Sequence, residues 1–187
     1  MDINTTALPG VIVFSLKTFG DERGFFRELF RENSYKALNL PSFVQYNHSR
    51  SSKNVLRGLH YQRLHAQGKL VSVIRGAIWD VVADICPSSP TYKQWISIEL
   101  SDKNQRQLYI PPGYAHGFVT LSDEVDLLYA CTDYYQPNDS FSVIWNDPTL
   151  NITWPIAVPL LSDNDSKAPV LTEIKPEFLP QLKFIST

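Results

Sequence analysis

The stretch KLVSVIRGAIWDVVADI, residues 69 to 85, carries two runs rich in Val and Ile on either side of an Arg-Gly-Ala turn. β-Branched residues fit a pleated surface and glycine punctuates the chain, so the stretch reads as two short strands with a turn between them. The same pattern extends outward in both directions. Before it come VIVFS (11–15), FFRELF (25–30), SFVQYN (42–47) and VLRGLHYQ (55–62), and after it QWISIEL (94–100), QLYIPPG (107–113) and HGFVTL (116–121). Turn residues recur at PSSPT (87–91), LSDKNQ (100–105), PPGY (111–114) and NDP (146–148). The one helical interval is RENSYKALNL (31–40), ahead of Pro41. Eight or more strands in a single domain spanning residues 1–187 indicate an all-β, double-sheet jelly roll with a few short peripheral helices. From about residue 155 the periodicity fades into PIAVPLLSDNDSKAPV, and residues 155–187 read as a loop wrapping the body.

At 187 residues the chain can bury a core without staples. A net charge of −2 and an isoelectric point near 6.1 supply no basic field for a polyanion, so nucleic acid is not an expected partner. No stretch has the length of a membrane span and the start lacks the features of a signal peptide, which together imply a cytoplasmic protein. Cys86 and Cys131 form no CxxC motif and read as packed thiols.

Chemistry concentrates in a few places. In VLRGLHYQ, strict alternation puts Val55, Arg57, Leu59 and Tyr61 on one face, with Leu56, Gly58, His60 and Gln62 on the other. His60 then shares its face with a glycine that leaves room beside it. A second histidine, His116, follows the Pro-Pro-Gly turn in IPPGYAHGF (110–118), as in the second half of a cupin motif. A metal-binding cupin would need an H-x-H pair and a glutamate. HYQ offers one histidine, and no metal or other cofactor is expected. A histidine base needs a carboxylate to orient it, and both Asp84 and Asp165 qualify by context. Lys69 enters a strand whose following residues are apolar, so its ammonium can point into the same cavity. Tyr129, Tyr134 and Tyr135 in YACTDYY offer proton donors or stacking surfaces. Arg23 beside Gly24, together with Arg57, suits a diphosphate, and Phe26 and Glu28 share a face that could stack on a base and accept from its edge.

DERGFFRELF, FVQYNHSRSSKNVLRGLHYQ, QGKLV, IPPGYAHGF, YACTDYY and WNDPTLNITWP followed by LSDND resemble, in order and spacing, the dTDP-4-dehydrorhamnose 3,5-epimerases across roughly residues 8 to 172. The resemblance implies a jelly-roll cupin, a homodimer sharing strands between subunits, a nucleotide-sugar substrate and no metal. It implies that His60 removes a proton next to the C4 ketone of a 4-keto-6-deoxyhexose, with Asp165 as its carboxylate. Lys69 would stabilise the enolate and Tyr129 would return a proton from the opposite face. His116 and Tyr135 would line the sugar site, and Arg23 and Arg57 would hold the diphosphate. Phe26, Glu28, Gln45, Asn47 and Tyr134 would surround the nucleotide.

Five positions depart from the family pattern. Tyr46 replaces a usual acidic residue, Ser72 an arginine and Ala130 a lysine, while Ser140 and Asn164 replace a glutamate and a lysine that lie near the ligand. Ser140 and Asn164 are therefore expected at the substrate. Their loss of one negative and one positive group points to two alternatives beside dual epimerisation, namely inversion at C3 alone or a cytidine-linked substrate. A cupin that binds a sugar nucleotide without turnover has no use for the matched base and acid. Residues 173–187 carry no interpretable motif.

Overall fold

The two runs in the 69–85 stretch form strands β7 (Lys69–Arg75) and β8 (Ala77–Ala83), which do not pair with each other. The chain turns a corner at Gly76 and passes from one sheet to the facing one. Gly76 has φ +81°, and a Cβ there would lie 2.5 Å from the Glu124 carbonyl, so only glycine fits the corner.

The computed structural model describes residues 1–181. Thirteen strands occur among them, every named pairing antiparallel. The larger sheet has six strands in the order β1 (Asp2–Thr5), β2 (Ile12–Ser15), β10 (Arg106–Ile110), β7, β12 (Glu124–Cys131) and β5 (Gln45–Ser52). Facing it is a five-stranded sheet in the order β13 (Ser140–Ser142), β6 (Leu56–Gln62), β11 (Ala115–Thr120), β8 and β9 (Trp95–Ser101). The remaining strands, β3 (Thr18–Asp21) and β4 (Gly24–Arg27), form a hairpin belonging to neither sheet. This is the double-sheet jelly roll the strand pattern implies.

Alternation along the strands sorts side chains into three layers. Between the sheets lie Val71, Val73, Ile78, Val82, Leu108, Phe118, Val125 and Leu127. Outside the five-stranded sheet, Leu56, Leu59, Val81 and Val119 pack under Leu150, Trp154, Leu171 and Leu179 from the C-terminal third. Outside the six-stranded sheet, Phe14, Leu70 and Tyr109 pack under Tyr35 and Leu40. The helix expected over 31–40 is shorter, α1 (Glu32–Lys36), and the chain leaves it through Asn39 at φ +58°. A second helix, α2 (Asp163–Ser166), is a single turn inside the segment expected as a loop. Residues 182–187 of that segment lie outside the described residues. No helix among the described residues is long and apolar enough to cross a membrane.

Candidate active site

Apolar residues fill the space between the sheets toward one end, and polar residues take over toward the other, around a cavity of about 430 Å³. That volume suits a small-molecule ligand. One wall is β6, where strict alternation fails. Phe118 stands opposite Arg57 and His116 opposite His60, so β6 spends one residue more than β11 between the two pairs. This bulge turns Arg57 and His60 to the same inner face, along with Gln62, while Leu56, Leu59 and Tyr61 join the outer core. Gly58, at φ +120°, sits at the bulge, and a Cβ there would meet the Gly117 Cα at 2.5 Å. Its role is thus to let two strands approach and to re-aim the chain, rather than to clear space beside His60.

His60 is paired with Asp165 of α2, Nε2 to Oδ1 at 2.5 Å. The histidine is half exposed toward the cavity and the carboxylate is buried. Burial works against the Asp165 charge, but hydrogen bonds from His60, Ser162 and the Gly58 backbone, with the charge of His60, hold its pKa below the usual carboxylate value. The other sequence candidate, Asp84, is excluded by its surroundings. Fully buried, it accepts from the Ser89 and Thr91 hydroxyls and the Cys86 N–H, closing its own loop.

The facing wall belongs to the six-stranded sheet. Lys69 of β7, Tyr129 of β12 and Gln45 and Asn47 of β5 all line the cavity. Burial pushes the Lys69 ammonium below the ordinary lysine range, opposed by nearby Cys131 and Asp80. The same cause raises the Tyr129 phenol above its ordinary value, with Cys131 adding to the shift. Arg57 gives its Nε–H to Ser51 at 3.1 Å. Tyr135 stands at the mouth with its backbone N–H on Gln45 Oε1 at 2.9 Å, and Ser140 and Asn164 complete the lining.

Five expected site residues lie elsewhere. His116 is on the inner face of β11 beside His60, but its Nε2 is turned to the buried Asp80 carboxylate at 2.9 Å, beneath the cavity rather than on its surface. Tyr134 is 59% exposed and absent from the lining, because the chain turns outward at Asp133, whose carboxylate caps the Tyr134 N–H. Arg23, Phe26 and Glu28 sit on or just after the isolated β3–β4 hairpin. Arg23 pairs with Asp21 at the surface, Glu28 pairs with Arg31, and Phe26 is 69% exposed. With no neighbouring strand in its own sheet, the hairpin holds these side chains off the cavity of its own chain.

The lining also contains Tyr61, Gln62, Gln67, Gly113, Tyr114 and Ser162, none of which sequence reasoning assigns to the site. Ser162 was findable, since Ser-x-x-Asp over 162–165 is a helix-start signature. Gln62 follows from the face it shares with His60 in the alternation of β6, while Gln67, Gly113 and Tyr114 carry no local signal, because loops bring them to the cavity.

The family model for dTDP-4-dehydrorhamnose 3,5-epimerase matches residues 5–173. The enzyme of that name from Salmonella typhimurium is 49% identical, over 92% of this chain and 97% of its own. The crystal structure of dTDP-6-deoxy-D-glucose-3,5-epimerase RmlC from Legionella pneumophila, in complex with dTDP-4-keto-L-rhamnose, matches with a TM-score of 0.94 at 46% identity, covering 97% of this chain and 98% of that one. The structure of ChmJ, a 3'-monoepimerase from Streptomyces bikiniensis in complex with dTDP-quinovose, matches at 0.85 and 33% identity, covering 89% and 86%. With two facing walls of titratable groups, the same jelly roll and nearly half its residues shared with such enzymes, this chain belongs to the dTDP-4-dehydrorhamnose 3,5-epimerase family.

Proposed function

We propose that the protein is a cofactor-independent isomerase that inverts C3 and then C5 of a dTDP-linked 4-keto-6-deoxyhexose. The observation that carries this reading is the placement of His60 with Asp165 on one wall of the cavity and Tyr129 on the other. Epimerisation needs a base and an acid on opposite faces of one ring, and the two sheets supply them.

His60 donates the N–H of Nε2 to Asp165, which leaves the other ring nitrogen free as the base. It takes the proton from C3, the electron pair delocalises onto the C4 oxygen, and the Lys69 ammonium meets the charge developing there. Tyr129, kept protonated by its raised pKa, delivers its proton to the opposite face of C3. His60 and Tyr129 then exchange their protons with solvent through the open mouth. C5 is also adjacent to the C4 ketone, so a shift of the ring lets the same pair act there. Arg57 and the polar edge of β5 at Gln45 and Asn47 hold the diphosphate and nucleoside.

The working unit is a homodimer. β5 is an edge of its sheet and carries Gln45 and Asn47 at the cavity, while the β3–β4 hairpin, a two-stranded sheet paired with neither larger one, presents Phe19, Phe25 and Phe26. An unpaired edge strand invites a strand from another chain. Placing one subunit's hairpin beside the other's β5 brings Arg23, Phe26 and Glu28 to the nucleotide. A cytoplasmic setting fits a chain whose two cysteines, Cys86 and Cys131, are both buried and lie in separate parts of the fold.

A second reading, inversion at C3 alone, is favoured by Ser140 and Asn164, which line the cavity where the family usually carries a charged pair. Replacing His60 with Ala tests the common core of both. Proton exchange should fall by about three orders of magnitude with nucleotide affinity within a few-fold of wild type. Undiminished exchange in that variant contradicts the role assigned to His60.

A further inference from the structure

Ser162 immediately precedes α2 and makes two hydrogen bonds to Asp165. Its Oγ–H donates to Asp165 Oδ2 at 2.9 Å, and its Oγ accepts the Asp165 backbone N–H at 3.1 Å. The first bond leaves Asp165 Oδ1 to His60 alone among these side chains. Ser162 lines the cavity alongside Asp165 and His60, so this hydrogen bond lies at the edge of the site itself. We propose that Ser162 is a positioning residue for the proton-abstracting base, fixing the Asp165 carboxylate in the one rotation that presents Oδ1 to the imidazole.

The inference rests on the catalytic reading of His60. An N-cap needs only an acceptor oxygen for the N–H at the start of the helix, and glycine serves there nearly as well as serine. Orienting Asp165 needs the hydroxyl hydrogen as well. A carboxylate whose second oxygen is unclaimed can rotate about its terminal torsion, which is broad and two-fold, and each rotation carries His60 with it or releases it. Outer partners of this kind, which fix ligand orientation without touching the reacting atoms, typically alter activity about 10–100-fold. Ser162 thereby completes a chain from α2 to the substrate in which each member holds the next. Its hydroxyl also helps hold the Asp165 charge, alongside His60 and the Gly58 N–H.

Three variants separate positioning from capping. Ser162→Gly and Ser162→Ala remove the hydroxyl, and Ser162→Thr keeps it. With dTDP-4-keto-6-deoxyglucose as substrate, the Gly and Ala variants should lose about 10–100-fold in kcat with KM within about twofold. The Thr variant should recover most of that loss. Ser162→Gly turning over at the wild-type rate, or Ser162→Thr as slow as Ser162→Gly, overturns the proposal. A second readout needs no substrate. In protein labelled with 13C at aspartate carboxyls, the Asp165 titration midpoint should move upward in Ser162→Gly, and an unmoved midpoint overturns the proposal. If wild-type protein exchanges no sugar proton at all, the catalytic reading fails, while this titration still decides whether Ser162 holds the carboxylate.

Discussion

At Lys69 and Tyr129 one cause moves two acidities in opposite directions. Burial costs the charged form, so it lowers the lysine pKa and raises the tyrosine pKa, leaving the first easier to neutralise and the second harder to ionise. The consequence for pH follows from the sign. Lys69 is a cation below its depressed pKa and loses its charge as pH rises through it, so the enolate loses its partner on the alkaline side at a pH below the ordinary lysine value. Arginine stays charged throughout. The kcat–pH profile of Lys69→Arg should therefore lack that alkaline fall, at a lower plateau set by the guanidinium's different geometry. An alkaline limb unchanged in this variant removes Lys69 as its origin. Tyr129→Phe separates removal from return of the proton. His60 can still abstract and redeposit on its own face, so NMR should show deuterium entering at C3 while inversion falls about 10²–10⁴-fold. At this scale the sequence revealed residue types well. His60, Lys69 and Tyr129 are legible as candidate chemistry from their residue types, while the choice of Asp165 over Asp84 comes only from the family resemblance, because the two differ only in which loop the fold lays against β6. The partner of His116 is equally hidden from the sequence, since Asp80 lies on another strand 36 residues away.

Among the elements, β6 decides the site. Alternation correctly made it a strand but assigned Arg57 and His60 to opposite faces, since a bulge leaves no mark in hydrophobic pattern beyond a glycine. Gly58→Ala meets both a positive φ and the Gly117 backbone, which predicts a loss of about 1–3 kcal/mol or more, read as a fall of several degrees in Tm by calorimetry. A variant with wild-type Tm would mean that the two strands can separate without cost. The outer face of β5 and β12 offers a second test. Asp126 bonds Arg50 through both oxygens at 2.8 Å and His48 at 3.0 Å, and these contacts, Arg50 first, lower its pKa from 3.8 to about 2. A depressed carboxylate contributes stability above its unfolded value and loses it as pH falls through the folded one. Asp126→Asn should thus melt below wild type at pH 7, and the two melting curves should converge at pH 2. A constant gap across that window would show that the ion pair contributes nothing through charge.

For the whole molecule, the strand count and turn spacing were enough to indicate a jelly roll, because each strand's pattern is local. The sheet to which each strand belongs was not legible. KLVSVIRGAIWDVVADI reads as two strands joined by a turn, and that turn is a corner between sheets, set by Gly76 against the Glu124 carbonyl far along the chain. Arg23, Phe26 and Glu28 looked like site residues and lie away from their own cavity, as expected where a second copy completes the site. Mixing subunits tests this. A dimer of Arg23→Ala/Phe26→Ala and a dimer of His60→Ala are each defective, but a mixed dimer has one site with every group intact. Random exchange should restore about a quarter of wild-type sites, and no recovery after demonstrated exchange would place the hairpin outside the partner's cavity.

The most direct measurement follows the protons themselves. Wild-type protein is incubated in D2O with dTDP-4-keto-6-deoxyglucose, and C3 and C5 are observed by 1H NMR. The facing His60 and Tyr129 predict deuterium at both carbons with inversion at each. Nucleotide binding without deuterium at either carbon would contradict the account at its centre.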